Sequence, residues 1–454
     1  MGATGNQGGA VVRNLLPKGH RIRTLTRNPD SPKAQQLADQ GKITMSTDEK
    51  KELNVMETLL NDQSYHIEFK VFLTNHVKHA VIALKRLGAS PQRIQEYYDT
   101  YVKCTPYGYG VDPARPSEHT ITQDNWQVYF GKHCSFTSYC QFFDQKENEL
   151  GMERLLRKYV PTLLPGCVGS LMHGTIHLGW ALDSGNRWMI IEGLAYMAFS
   201  YVSCNPDRKY PATGDSVKTT SVLDSFLRIA DAWEKDGKAL HGWLEATLTN
   251  DKYRASAGFH PKLAVTGAQF NIAKVLAEGH PLIHESNAWI EDQDMATIWE
   301  ELYEAVTLLF MTKPGDFLIL HLITSLHAIE QIANRLPIDQ QKRVIKCYWT
   351  ALLAIMFSRG EVPMRATLEA LHAKYQHSVD HEGNQMEGEE WEHTVARALI
   401  EAEEHNPKLV YVQRLLWSRF GQRSLFRIAA GHFTTTPEVP KIENGITVGA
   451  DRPC

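Results

Sequence analysis

Apolar residues recur at three- and four-residue spacing through most of the chain from Thr47 onward, and this periodicity constrains the fold more than any other feature. Such spacing lines one face of an α-helix with apolar side chains, whereas few stretches alternate as half-buried strands do. Two of the helical segments, residues 317–334 and 339–357, are long and apolar. Further helices are predicted over residues 73–87, 91–102, 142–160, 188–202, 261–277, 392–404 and 407–418. We therefore predict a mainly α protein with a single large helical domain over residues 47–454.

The first 46 residues have a different pattern. A GxxGxxG turn at Gly2, Gly5 and Gly8 precedes an amphipathic helix, and residues 20–27 alternate as a strand does. This segment resembles the opening of NmrA-like atypical short-chain reductases, in which a basic residue such as Arg27 can meet the 2′-phosphate of NADP. The pattern has no hydrophobic strand before Gly2 and no run of alternating strands and helices after residue 45. We therefore predict a truncated βα-type fragment without function over residues 1–46, with a working NADP site as the alternative.

Composition excludes several classes of function. A formal net charge of −4 provides no basic surface for a phosphate backbone, so nucleic acid is not an expected partner. The longest apolar run, residues 348–357, is about half of the roughly 20 residues that a membrane-spanning helix needs. Seven scattered cysteines without a CxxC pair are typical of reduced thiols, and no secretory leader is recognisable. A cytoplasmic protein without a membrane partner is expected.

One histidine pair is spaced as metal ligands on a helix often are. His173 and His177 are four residues apart in a segment without proline, so their imidazoles fall on one helical face. Each ring nitrogen of such a pair can approach a first-row metal at about 2.0–2.1 Å. A bare HxxxH is more often a feature of helix packing, and that alternative stays open.

Other histidines lie within apolar helical segments. His76 and His79 fall in one of these segments, and His321 and His327 fall in another. Each alone is more often a core residue that donates to a carbonyl, but a shared metal would satisfy one nitrogen of each ring at once. The pattern does not decide whether His76 or His79 would be the ligand.

A third candidate region surrounds a proline near the C-terminus. Pro407 predicts that one helix ends near His405 and that the next begins with Asn406 as its cap. Lys408 would then stand in a first turn, where the positive helix end and desolvation both disfavour an ammonium. A neutral lysine amine can react with carbon dioxide to give a carbamate, which is an anionic oxygen ligand. The alternative is a surface lysine paired with Glu404.

From about Asn61 to the C-terminus, the chain resembles the questin-oxidase-like family of fungal and bacterial proteins. The segments that carry the resemblance are Tyr65-His66, Asn75-His76-Val77-Lys78-His79, His173-Gly174-Thr175-Ile176-His177, Leu320-His321-Leu322-Ile323-Thr324 and Glu404-His405-Asn406-Pro407-Lys408. The resemblance implies oxidative opening of a quinone-bearing ring of an anthraquinone or related aromatic polyketide. It implies either a histidine-ligated non-haem iron or an NADPH-dependent Baeyer-Villiger reaction.

Together these observations predict a metal-dependent, ring-cleaving oxygenase that uses Fe(II) and dioxygen on an aromatic polyketide. Residues 47–454 contain no credible dinucleotide-binding motif, which favours iron over NADPH. The predicted metal ligands are His76, His173, His177, His321 and Lys408, and the predicted catalytic residues are Lys408 and His405. The predicted substrate-binding residues are Trp126, Trp180, Tyr196 and Phe199, with a role as core aromatics as the alternative. An NADPH-dependent, metal-free monooxygenase and a non-catalytic helical binding protein are the competing hypotheses.

Overall fold

The computed structural model describes residues 55–70, 72–132, 135–210, 219–250, 252, 267–285, 289–380 and 388–438. Within these residues the chain forms 17 α-helices and one two-stranded antiparallel sheet, which confirms the predicted mainly α class. The strands are β1 (Glu68–Phe69) and β2 (Leu73–Thr74). The helices are α1 (Val77–Leu87), α2 (Pro91–Lys103), α3 (Phe136–Leu150), α4 (Met152–Leu163), α5 (His173–Ser184), α6 (Arg187–Phe199), α7 (Val222–Thr249), α8 (Ala268–Glu278), α9 (Pro281–Glu285), α10 (Trp289–Asp292), α11 (Met295–Thr312), α12 (Phe317–Ala333), α13 (Ile338–Arg359), α14 (Arg365–Tyr375), α15 (Trp391–Ile400), α16 (His405–Arg419) and α17 (Ser424–Ala430). The predicted N-terminal fragment, residues 1–46, lies outside the described residues, and the domain boundary after residue 46 stays a prediction.

The helix predicted over residues 73–87 begins four residues later, at Val77. Leu73 pairs with Phe69 across the small sheet, and the amide of Asn75 donates to the Ile67 carbonyl at 2.8 Å. These bonds hold the segment in an extended conformation, so His76 becomes the residue that precedes the helix instead of lying inside it.

Two other predicted boundaries are also wrong. The helix predicted over residues 142–160 is divided at Gly151, which adopts φ 77° and ψ 154°, a conformation that residues with a side chain rarely adopt. Conversely, α16 already begins at His405, and Pro407 lies in its first turn, where the missing amide hydrogen costs no helical hydrogen bond. The Asn406 side chain does not cap the helix, because it exchanges hydrogen bonds with the backbone of Thr434.

Four helices at the centre of the protein each pack against two of the others and so form a closed ring. Helix α1 packs against α5 and α16, and α12 packs against the same two helices. Each of the four helices has one histidine of a single cluster at or near its beginning, so their N-terminal ends converge on one place. The large apolar cluster of the protein includes residues of all four helices.

Helices α5 and α12 approach so closely that only a glycine fits at position 179. A Cβ atom placed on Gly179 would overlap Cα and Cβ of Ala328, and main-chain atoms cannot turn aside as the end of a flexible side chain can. We expect Gly179→Ala to lower the free energy of unfolding by about 1–3 kcal/mol, the usual cost of overpacking. This cost exceeds the gain of up to about 1 kcal/mol in helix propensity.

A matched substitution separates these two effects. Gly242 lies in α7, and a Cβ built on it meets no atom within 4 Å. We expect thermal unfolding to show a lower midpoint for Gly179→Ala and an unchanged or higher midpoint for Gly242→Ala. Equal midpoints for the two variants would contradict the close packing of α5 and α12.

Among the described residues, the helices are all too short or too polar to cross a bilayer.

Candidate metal centre

Four buried imidazoles meet where the helices converge. His76, His173, His321 and His405 each offer a ring nitrogen, and these four atoms all lie within 4.8 Å of one another. His76 precedes α1, His173 and His405 are the first residues of α5 and α16, and His321 is the fifth residue of α12. Four neutral imidazoles that converge in this way are a donor set that suits first-row metals.

The backbone before α5 has an unusual conformation that directs His173. Ser170, Leu171 and Met172 have φ angles of 47°, 54° and 64°, so three consecutive non-glycine residues are left-handed. Such residues cost of order 1–3 kcal/mol each and persist only where the surrounding structure holds them. The turn brings the Ser170 carbonyl to the Nδ1–H of His173, which donates to it.

The hydrogen bonds at Nδ1 determine which nitrogen faces the cluster. Nδ1–H of His321 donates to the Phe317 carbonyl at 2.7 Å, and Nδ1 of His405 forms a hydrogen bond of 2.6 Å with Oε1 of Glu403. A neutral imidazole that donates through Nδ1 carries a lone pair on Nε2. Metal-binding histidines usually have this arrangement, in which a carbonyl or carboxylate fixes the ring.

The resulting lone pairs point at each other. Nε2 of His173 lies 3.1 Å from Nε2 of His321, and the single N–H group of each neutral ring, at Nδ1, already donates to a backbone carbonyl. Nε2 of His405 is buried without a hydrogen-bond partner among the described residues. Buried acceptors that face one another are costly unless a cation lies between them, so these residues fit a bound metal ion.

The environment keeps these imidazoles uncharged. Burial, together with the nearby Lys408, holds the pKa of His76 and of His405 well below the usual histidine value. Burial lowers the pKa of His173 well below that value too, and it lowers the pKa of His321 to about 3. The lone pairs are therefore available to a metal at neutral pH.

Lys408 lies beside the cluster and is completely buried, so the alternative of a surface lysine is wrong. Its Nζ lies 3.0 Å from Nδ1 of His76. Burial lowers the pKa of Lys408 to about 8, although the carboxylates of Glu404 and Glu403 oppose that shift. Burial also raises the pKa of Glu404 to about 7. The amine is thus far easier to deprotonate than an ordinary lysine.

The structure does not place His177 in the cluster with His173. His177 bonds instead to Nε2 of His79, at 2.9 Å from its Nδ1, and to Oε2 of Glu192, at 3.2 Å from its Nε2. His405 occupies the cluster together with three of the four histidines predicted as ligands, whereas the sequence predicted a catalytic role for it. The proline two residues later was the available signal, since it marks His405 as a helix start.

Of the two histidines near the start of α1, His76 belongs to the cluster. His79 lies beside it, with the two Nδ1 atoms 3.4 Å apart, and faces His177 through its other nitrogen.

A cavity of about 320 Å³ opens onto His76 and His173. Its other walls are mainly apolar and aromatic, and they come from the β2 strand, from the start of α12 and from the segment that begins α8. Lining side chains close in sequence to the cluster include those of Leu73, Thr74, Leu171 and Phe317, and Tyr107, Phe270, Asp316 and Arg359 also contribute.

The four aromatic residues predicted to bind substrate do not line this cavity, as far as the described residues define it. Trp180, Tyr196 and Phe199 are completely buried in the core, and Trp126 packs against Phe142 and other rings. Tyr196 lies behind the cavity wall, where its hydroxyl forms a hydrogen bond of 2.7 Å with the side chain of Thr74, which lines the cavity.

Comparison with known proteins gives relatives for both parts of the chain. The Baeyer-Villiger oxidase AgnL3 of Paecilomyces divaricatus is 27% identical over 27% of this chain and 28% of its own length. The Baeyer-Villiger oxidase ptaJ of Pestalotiopsis fici is 22% identical over 43% of each protein. The chain thus aligns with less than half the length of these relatives. An NmrA-like family domain-containing oxidoreductase, hkm9 of Aspergillus hancockii, is 58% identical over 9% of this chain and 12% of its own length.

Family models agree with both resemblances noted in the sequence. The model of the NmrA-like family matches residues 1–78. The model described as Questin oxidase-like matches residues 73–413, which include all four clustered histidines and Lys408. Because this match covers more than half of the 454 residues, the chain belongs to the questin oxidase-like family.

Proposed function

We propose that the protein is an oxygenase that cleaves a quinone-bearing ring of an anthraquinone or related aromatic polyketide, with non-haem iron and dioxygen. The main observation behind the proposal is that Nε2 of His173 and Nε2 of His321 lie 3.1 Å apart, each with a lone pair. The Nδ1–H group of each ring donates to a backbone carbonyl, so neither ring has a proton to place between the two Nε2 atoms. His76 and His405 complete a set of four nitrogen donors, which suits iron as well as other first-row metals.

The cavity beside the cluster supports an aromatic substrate. Its volume of about 320 Å³ is at the lower end of the range of small-molecule sites, roughly 300–1,000 Å³. The rings of Tyr107, Phe270 and Phe317 offer flat apolar faces for a polycyclic ring system, and the opening onto His76 and His173 would bring that ring next to the donor set. The relatives named as Baeyer-Villiger oxidases also act by oxidation, as their names state.

Each component would have a distinct role. Iron would supply the electron transfer that lets triplet dioxygen react with a closed-shell quinol. His76, His173, His321 and His405 would hold the metal, and the walls of the cavity would exclude water from the reacting ring. Lys408, beside His76, would either accept a phenolic proton as a neutral amine or, as a carbamate, add an anionic oxygen to the donor set. His405 would keep the geometry of this corner through its bond to Glu403.

A second candidate is an NADPH-dependent, metal-free monooxygenase of Baeyer-Villiger type. The names of two relatives and the NmrA-like match at residues 1–78 favour it. It requires one atom of dioxygen in the product and one in water, with NADPH as the reductant.

Oxygen uptake separates the candidates. The full chain, loaded anaerobically with Fe(II), would be given an anthraquinone and its hydroquinone, with and without NADPH and with and without a chelator. We expect the hydroquinone to give a ring-opened product that requires iron, does not require NADPH, is lost on chelation and contains both atoms of ¹⁸O₂. Uptake that needs NADPH and survives chelation would establish the second candidate. No ring-opened product under any condition would instead support a non-catalytic binding protein.

A further inference from the structure

We infer that Glu192 is a positioning residue that determines, through His177 and His79, which nitrogen of His76 carries a proton. This inference rests on the proposed metal centre. It adds a role for Glu192, His177 and His79, which have no role in the proposed reaction. The carboxylate of Glu192 begins a hydrogen-bonded series that runs through His177 and His79 and ends at His76.

Short contacts join every member of the series. Nε2 of His177 lies 3.2 Å from Oε2 of Glu192, and Nδ1 of His177 lies 2.9 Å from Nε2 of His79. Nδ1 of His79 then lies 3.4 Å from Nδ1 of His76. The exposed fractions of His79 and His177 are 0% and 1%, so water does not compete for their nitrogens.

The carboxylate is held as an anion by cationic and neutral donors. Nζ of Lys78 lies 2.7 Å from both of its oxygens, and the indole N–H of Trp188 donates to Oε1 at 2.9 Å. The ion pair with Lys78 and the bond from His177 lower the pKa of Glu192, although burial acts in the opposite direction. An ionised carboxylate only accepts hydrogen bonds, so His177 must donate to it.

The direction of every later bond follows from that first one. A neutral His177 that donates through Nε2 can only accept at Nδ1, so His79 donates to it through Nε2. His79 then has a lone pair at Nδ1, which faces Nδ1 of His76. Where Lys408 is a neutral amine, this series places the proton of His76 at Nδ1, and Nε2 of His76 keeps a lone pair, the state in which that nitrogen can bind a metal. An ammonium at Lys408 would have the opposite effect on His76, since it would donate to the same Nδ1.

Glu192→Gln is the substitution that reverses the series while it keeps the shape of the side chain. The indole N–H of Trp188 donates to Oε1 alone, whereas Lys78 bonds to both oxygens, so the amide oxygen remains at Oε1 and the amide NH₂ replaces Oε2 opposite His177. His177 would then have to accept at Nε2 and donate from Nδ1, and His79 would have to do the same. Nδ1 of His76 would become the acceptor, and its proton would move to Nε2.

Nitrogen-15 NMR of the histidine side chains in the full chain reads these positions directly, both without metal and with Zn(II) as a diamagnetic probe. We expect Nε2–H for His79 and His177 in the wild type and Nδ1–H for both in Glu192→Gln. Zn(II) affinity should fall by about 10–100-fold in Glu192→Gln, the usual effect of losing an outer partner of a metal ligand. Glu330→Gln is the matched control, because Glu330 is another buried carboxylate that bonds to a cation, Arg419, and to Tyr303, away from the series.

A second pair of variants tests the series without touching Glu192. In His177→Asn the amide oxygen can accept from Nε2–H of His79 in place of Nδ1, whereas His177→Leu offers no acceptor. We expect Zn(II) affinity to be largely retained in the first and reduced in the second. Nδ1–H at His79 or His177 in the wild type would overturn the inference, and so would equal Zn(II) affinity for Glu192→Gln and Glu330→Gln. A wild type that binds no Zn(II) would contradict the metal centre itself, and the proton positions in the metal-free protein would still be measured.

Discussion

His173→Ala and His321→Ala are each expected to remove bound Fe(II) from the protein. Each substitution deletes one of the two nitrogens that face each other at 3.1 Å, so the loss of affinity should exceed the roughly 10–100-fold typical of an outer partner. Elemental analysis after dialysis, followed by competition titration with a chelator, measures both occupancy and affinity.

The matched control is His327→Ala. His327 lies in the same helix as His321 and is equally buried, but its ring packs against Trp180 and is not a member of the cluster. The control should therefore lose a similar packing volume and keep its iron. Equal iron in all three variants would contradict the metal centre.

His177→Ala provides a further comparison, because the HxxxH pattern predicts a ligand where the structure has a residue bonded to Glu192. We expect an intermediate loss of affinity, smaller than that of His173→Ala. A loss as large as that of His173→Ala would restore His177 as a direct ligand.

Replacement of Lys408 should have the second-largest effect. In Lys408→Met the buried stem is retained and the amine is lost, so the protein should fold, and turnover should fall by about 10²–10⁴-fold, the usual contribution of a positioned acid or base. Lys408→Arg should be worse for the metal, because it places a permanent cation about where Nζ lies 3.0 Å from His76. Circular dichroism and iron content, measured beside turnover, separate folding, binding and chemistry.

Chemical rescue of Lys408→Ala distinguishes the two roles proposed for the lysine. Added acetate should restore iron binding and turnover if the native side chain is a carbamate that supplies an oxygen ligand. Added methylamine should restore turnover if the native group is a neutral amine. Turnover in Lys408→Met equal to that of the wild type would contradict both roles.

The histidines show how far sequence reasoning could reach. His76 and His321 were predicted as ligands because imidazoles inside apolar helical segments need partners, and both lie in the cluster. The proposed partner of His173 was His177, since residues four apart share a helical face. A rise of about 1.5 Å per residue also separates them by about 6 Å along the axis. His173 is the first residue of α5, so His177, one turn further along that helix, is carried away from the cluster, towards Glu192.

His405 illustrates the opposite case. Nothing in its local sequence brings it close to His321, because the contact depends on α12 packing against α16. The left-handed turn over residues 170–172 could not be predicted from the sequence either, since Ser170, Leu171 and Met172 are not residue types that favour that conformation. The four aromatic residues predicted to bind substrate lie away from the cavity for a related reason, because apolar periodicity cannot distinguish a ring in the core from a ring on a cavity wall.

The sequence by itself determined the helical class, the approximate positions of the long helices and the presence of buried histidines, because these depend on patterns within one or two turns of chain. Only the tertiary structure decided which four imidazoles meet, which nitrogen each one presents and where the cavity lies. Those properties depend on the convergence of four helix beginnings from distant parts of the chain, and contacts at such separations leave no periodic signal in the sequence.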